Sequence, residues 1–145
     1  GRKNAFPASG RISPDYMCMD STIPRKRLAD ILQAISEMET KYALRCLNVF
    51  HAGDGNLHPV VLYDEREEGV IERVRKASDE ILGLVAKVGG GLSGEHGIGI
   101  GKIEYLINEL GYEAVDLMRT IKSALDPNGI MNPGKVVGEV SLTSL

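Results

Sequence analysis

A chain of 145 residues, 43% of them hydrophobic, suits one compact domain with a real core. Net charge is −3 and the 17 Lys and Arg are scattered, whereas a nucleic-acid surface needs a concentrated basic face, so no nucleic-acid partner is expected. No apolar run reaches ~18 residues and no charged start precedes an apolar block, so neither a transmembrane helix nor a signal peptide is predicted.

The chain opens at Gly1 without an initiator methionine and reads as a piece of something longer. Cys18 and Cys46 fit no CxxC spacing and stand in apolar surroundings, the pattern of two buried free thiols in a reducing, cytoplasmic compartment.

Taken in chain order, Asp15 to Ile23 reads as a strand ending at Pro24, which suits a first helical position. Leu28, Ile31, Leu32, Ile35 and Met38 recur at helical spacing and predict a helix to about Tyr42. Arg45 to Phe50 and Leu57 to Tyr63 are short and rich in β-formers, and Gly53-Asp54-Gly55-Asn56 between them is hairpin-loop chemistry. Val70, Ile71, Val74, Ile81, Leu82, Val85 and Val88 mark a long second helix, ended by Gly89, Gly90 and Gly91. Leu92 to Gly94 leaves room only for a short strand.

The order β-α-β-β-α-β is the split βαβ of ferredoxin-like folds: an α+β domain, an antiparallel sheet with helices on one face. Two C-terminal helices follow, one carrying Ile103, Leu106, Ile107 and Leu110, the other Val115, Met118, Ile121 and Leu125. Asp126-Pro127-Asn128-Gly129 makes a turn, and a loose tail starts near Asn132-Pro133-Gly134-Lys135.

The chain holds three histidines, His51, His58 and His96. A turn centred on Asp54-Gly55 would set His51 opposite His58, about 4.5–5.5 Å apart at Cβ. Two imidazoles at that separation can converge on one metal ion. Glu95 precedes His96 in Ser93-Gly94-Glu95-His96-Gly97, where crowded glycines imply a bent, closely approached backbone. Two histidines and a carboxylate leave coordination positions open for water or substrate. Adjacent residues seldom ligate one ion together, so Glu95 takes the metal and His96 stays free as a base. A lone histidine in a strand is most often structural; three in glycine-flanked loops argue otherwise.

Two other patterns fail. Gly89, Gly91 and Gly94 match GxGxxG but follow a helix rather than a strand. Gly101-Lys102 suggests a phosphate loop, but Ile103 stands where Ser or Thr is required.

The runs His51-Ala52-Gly53-Asp54-Gly55-Asn56-Leu57-His58-Pro59, Gly94-Glu95-His96-Gly97-Ile98-Gly99 and Asp126 to Lys135 resemble the C-terminal domain of FAD-linked oxidases. The opening Gly1 to Phe6 and Gly10 to Tyr16 resemble most the flavin subunits of glycolate oxidases, with D-lactate and D-2-hydroxyglutarate dehydrogenases as near relatives. The resemblance implies that residues 1–145 are a C-terminal substrate or cap domain whose partner, an N-terminal FAD domain, lies outside the chain. It implies FAD and a divalent metal (Zn, Mn or Fe) as cofactors. His51, His58 and Glu95 become metal ligands and His96 the catalytic base. Arg2 grips the substrate carboxylate, and Asn132 lies where the tail returns to the flavin.

The implied reaction oxidises a small 2-hydroxy acid to the 2-oxo acid, with hydride passing to the flavin. The chain alone is then expected to be inactive. Relatives specific for 2-hydroxyglutarate use a lysine near the end of the first strand; here the stretch reads Met17-Cys18-Met19, which favours glycolate or D-lactate. Electron-transfer subunits, contact with the inner membrane face through them, and self-association complete the implied partners. The competing readings are a stand-alone ferredoxin-like metal-binding or ligand-sensing module and a metallohydrolase using the same three ligands.

Overall fold

The computed structural model describes residues 4–51 and 53–138. They fall into two compact units, the first running to Glu95 and the second starting at His96. Arg2 lies outside the described residues.

The first unit begins with a short helix α1 (Ala5–Ser9) that tolerates Pro7 because the first helical turn needs no internal N–H. Strands β1 (Asp15–Cys18) and β2 (Ser21–Thr22) follow, then a 3-10 turn (Arg25–Arg27) and helix α2 (Leu28–Tyr42). The α-helix therefore starts four residues after Pro24, which caps the 3-10 turn instead. Helix α2 buries Ile31, Ile35 and Met38 and stops at Ala43, which adopts left-handed dihedrals (φ 51°, ψ 47°). Strands β3 (Arg45–His51) and β4 (Asn56–Tyr63) form the hairpin, and α3 (Val70–Lys87) buries Val70, Val74, Ala77, Ile81, Leu82 and Val85. Burying each aliphatic side chain of these stripes contributes about 1.5–3 kcal/mol.

Strand β4 is central, with β3 on one side and both β1 and β2 antiparallel on the other. The predicted strand from Asp15 to Ile23 is thus one strand broken at Met19 and Asp20. Its register is continuous across the break: Cys18 pairs with Val60 and Ser21 with Leu57. Met19 N–H donates to the Pro59 carbonyl at 2.9 Å, but Pro59 has no N–H to return, and the ladder fails there. The predicted strand at Leu92 to Gly94 shrinks to a single bridge, Thr22 to Gly91.

Strand, helix, hairpin, helix and bridge keep the split βαβ order. Met17 Sδ lies 3.2 Å from Ser78 Oγ of α3, which sets the helices on the Met17 face. Glu80 of α3 accepts from Lys41 Nζ (2.7 Å) and Tyr42 Oη (2.9 Å), tying α3 to α2. Side chains alternate along strands, so Asn56, His58 and Val60 belong to the opposite face.

The second unit holds α4 (Ile103–Leu110) and α5 (Tyr112–Leu125), joined through Gly111. Ile103, Leu106 and Val115 are its buried apolar residues. After α5 the buried Asp126 carboxylate accepts from the backbone N–H groups of Ile130 (3.0 Å) and Met131 (2.9 Å) and pairs with Lys122. Lys122 first, then these amides, holds that carboxyl below its ordinary range. Residues 131–138 form turns and bends without regular structure.

Candidate metal centre

The hairpin sets the site. His51 pairs with Asn56 and Val49 with His58, so the loop spans residues 52–55 and the register lies two residues from the one the sequence suggested. The cause is local. Asp54 and Gly55 both donate N–H to the His51 carbonyl (3.0 and 3.1 Å), while the Gly55 carbonyl accepts from Ile23. Gly55 has φ 75°, and a Cβ there would stand 2.2 Å from the Ile23 oxygen, so this position is spent on docking the loop rather than on a two-residue turn. His51 and His58 are consequently diagonal rather than opposed. They still share one face of the sheet, with ring centroids 5.6 Å apart and planes at 80°.

His58 is buried, and its two nitrogens meet different partners. Nδ1 lies 3.3 Å from the Met19 carbonyl oxygen, the acceptor that Pro59 leaves out of the ladder. A carbonyl only accepts, so that contact places the proton on Nδ1. Nε2 then presents its lone pair to Glu95 Oε1 at 3.1 Å. A lone pair facing a carboxylate oxygen is favourable only if a cation or a proton serves both. His51 Nε2 lies 3.9 Å from the same Glu95 oxygen. One ligand atom from each of His51, His58 and Glu95 falls within 4.8 Å of the others. The Glu95 side chain is half exposed and His58 is not, so the cluster has a wet side and a dry side.

Asp20 supports the cluster from behind. Its Oδ2 accepts from Ser93 Oγ (2.6 Å), Gly94 N–H (2.9 Å) and Glu95 N–H (3.0 Å). Its Oδ1 stands 3.8 Å from His58 Nδ1. Asn56, across from His51, is buried, and a Cβ on Gly94 would come within 2.6 Å of its Oδ1. Asp20, Pro59 and the Met19 carbonyl were not singled out in the sequence. An acid in the middle of an otherwise uncharged stretch from Tyr16 to Ile23 and a proline following a strand histidine were the signals.

His96 follows Glu95, is exposed and opens the second unit. Asn132 has φ 45° and, with Met118, Ile121, Leu125, Met131 and Val136, lines an apolar hollow of about 510 Å³ in that unit. Neither Cys18 nor Cys46 is in a disulfide; Cys46 is buried and Cys18 only partly so.

Residues 1–136 match the family described as FAD linked oxidases, C-terminal domain. The chain belongs to that family. Among curated FAD-linked oxidase relatives, the glycolate oxidase subunit GlcD of Escherichia coli (strain K12) is 50% identical over 93% of this chain and 27% of its own length. The GlcD subunit of Bacillus subtilis (strain 168) is 40% identical over 93% of the chain and 29% of its own. The mitochondrial D-lactate dehydrogenase [cytochrome] of Arabidopsis thaliana is 36% identical over 94% and 24%. The chain thus spans about a quarter of the length of the curated relatives it matches. A solved structure of 4-ethylphenol oxidase from Gulosibacter chungangensis, in its isoeugenol complex, has TM-score 0.61 at 20% identity, covering 85% of this chain and 24% of that one. At that identity the likeness is one of fold.

Proposed function

We propose that this FAD-linked oxidase domain is the substrate- and metal-binding part of a flavin-dependent dehydrogenase that oxidises glycolate or D-lactate to the 2-oxo acid. The observation that carries the reading is the convergence of His51, His58 and Glu95 within 4.8 Å. Family membership and relatives named as glycolate oxidase subunits and D-lactate dehydrogenases support the substrate class.

The donor set fits a divalent Zn, Mn or Fe ion, because two imidazoles and a carboxylate leave positions open for substrate oxygens. Bound there, such an ion supplies Lewis acidity to the substrate hydroxyl. His58 offers Nε2 because Met19 holds its Nδ1 proton. Glu95 contributes charge at the open rim. His96 takes the hydroxyl proton as general base. Arg2 would orient the substrate carboxylate and Asn132 would lie toward a flavin held by an N-terminal FAD domain, and that flavin would supply the hydride acceptor.

The chain alone therefore should bind no stoichiometric FAD and turn over no glycolate. Exposed Leu117, Ile121, Leu125 and Ile130 favour association with that domain, or with a second copy in its absence. No helix among the described residues is long and apolar enough to cross a membrane. A cytoplasmic enzyme, reaching the inner membrane face through electron-transfer subunits, is the proposed setting.

The test compares His96→Gln with His51→Gln in the intact protein, by elemental analysis for metal and by turnover with a dye acceptor. His51→Gln should lose metal and activity together, while His96→Gln keeps its metal and slows by ~10²–10⁴-fold. If His96→Gln strips the metal as fully, His96 is a ligand and the base lies elsewhere; if it leaves the rate intact, the proton-transfer role is wrong. An intact protein without flavin would favour the metal-binding or ligand-sensing module.

A further inference from the structure

We infer that Asp20 is a positioning residue for this site: a buried carboxylate that pre-forms the Glu95 ligand and braces His58. The inference rests on the metal reading above. Asp20 is 1% exposed, the one charged residue between Tyr16 and Ile23. A charge so placed is costly unless donors compensate it. Three donors converge on its Oδ2, and all three come from Ser93, Gly94 and Glu95. Two are backbone amides, one of them the Glu95 N–H itself, so the bonds fix the dihedrals from which the Glu95 side chain departs.

The other oxygen has a second task. Carried through the break, the strand register sets Asp20 opposite His58, and Oδ1 stands 3.8 Å from its Nδ1. The Met19 carbonyl approaches the same nitrogen at 3.3 Å. Two acceptor oxygens behind one imidazole hold the ring so that its far nitrogen stays aimed at Glu95. The unbroken register alone sets Asp20 beside His58, and Pro59, which has no N–H, leaves the neighbouring Met19 carbonyl available to the same ring. A neutral residue could satisfy the turn amides, but it would bring no charge to the back of His58.

The experiment titrates Co²⁺ into the chelator-stripped intact protein by calorimetry, for the unmodified protein, Asp20→Asn, Glu95→Gln and the double variant. Asp20→Asn should weaken Co²⁺ binding by ~10–100-fold without changing far-UV circular dichroism. In the Glu95→Gln background it should cost no more than about 3-fold, because much of its effect runs through that ligand. Equal losses in both backgrounds, or affinity within about twofold of the unmodified protein, would overturn the role. If Asp20→Asn does not fold, Ser93→Ala decides: it should weaken binding by ~3–10-fold only when Glu95 is present, and unchanged binding overturns the proposal. Failure of the unmodified protein to bind Co²⁺ sinks the metal reading itself, an outcome distinct from failure of the Asp20 variants alone.

Discussion

Pro59 stands across from Met19 and leaves the Met19 carbonyl without a ladder partner, and the His58 ring takes it up at 3.3 Å. A residue with an N–H at position 59 should reclaim that carbonyl. Pro59→Ala is expected to close the ladder, fuse β1 with β2, and add about 0.5–1.5 kcal/mol of stability. It should weaken metal binding at the same time. Hydrogen exchange provides the check: the new amide at 59 should be protected, and free exchange there would show the carbonyl was not available.

Gly94 lies against the Asn56 amide, with no room for a methyl group. Gly94→Ala forces either Asn56 or the Ser93–Glu95 turn to move. The expected cost is ~1–3 kcal/mol, read as a lower melting temperature. An unchanged melt would mean that the Asn56 side chain swings aside freely.

Ala43 ends α2 in the left-handed region, where a Cβ costs about 1–2 kcal/mol and glycine is the usual occupant. Ala43→Gly should stabilise the chain by ~0.5–1 kcal/mol, since glycine's extra freedom in the unfolded chain offsets part of the relief. Chemical denaturation measures it, and a loss of stability would contradict the cap geometry.

Burial, with a smaller push from the Glu39 carboxylate, raises the Cys46 thiol to about 12. Cys46 should stay unmodified by iodoacetamide at pH 8.5, while the half-buried Cys18 reacts first. The same shift has a linkage consequence. From pH ~9 to ~12 the unfolded thiol ionises and the folded one does not, so the folded state binds more protons and stability falls as pH rises. Below pH ~9 both states are protonated and this group adds no slope. Cys46→Ala should flatten that part of the stability profile.

Helix spacing in Ile31, Ile35 and Met38, and again in Val70 to Val85, located α2 and α3 because burying one stripe of a helix is a periodic requirement. The three clustered side chains were legible for a different reason: histidines beside glycines are rare enough to stand out. The hairpin register was not legible, because it depended on Gly55 docking against Ile23, a contact 32 positions away along the chain that no local pattern encodes. The broken strand was hidden for the same reason. Nothing in Met19-Asp20 marks a break until Pro59 is known to lie opposite. Arg2 lies outside the described residues, so its assignment stays a proposal.

His51 and His58 sit on the hairpin, and Glu95 arrives only after the chain has passed through the whole of α3. An ion shared by the three would therefore be a cross-link, closing the stretch from residue 58 to 95 as a staple closes a loop. Unfolded, that stretch has no pre-assembled donors, so the ion leaves as the helix peels from the sheet. Every tenfold rise of free ion above its dissociation constant then adds about 1.4 kcal/mol against unfolding. The first unit would report its own loading through resistance to proteolysis, before any catalytic assay is set up.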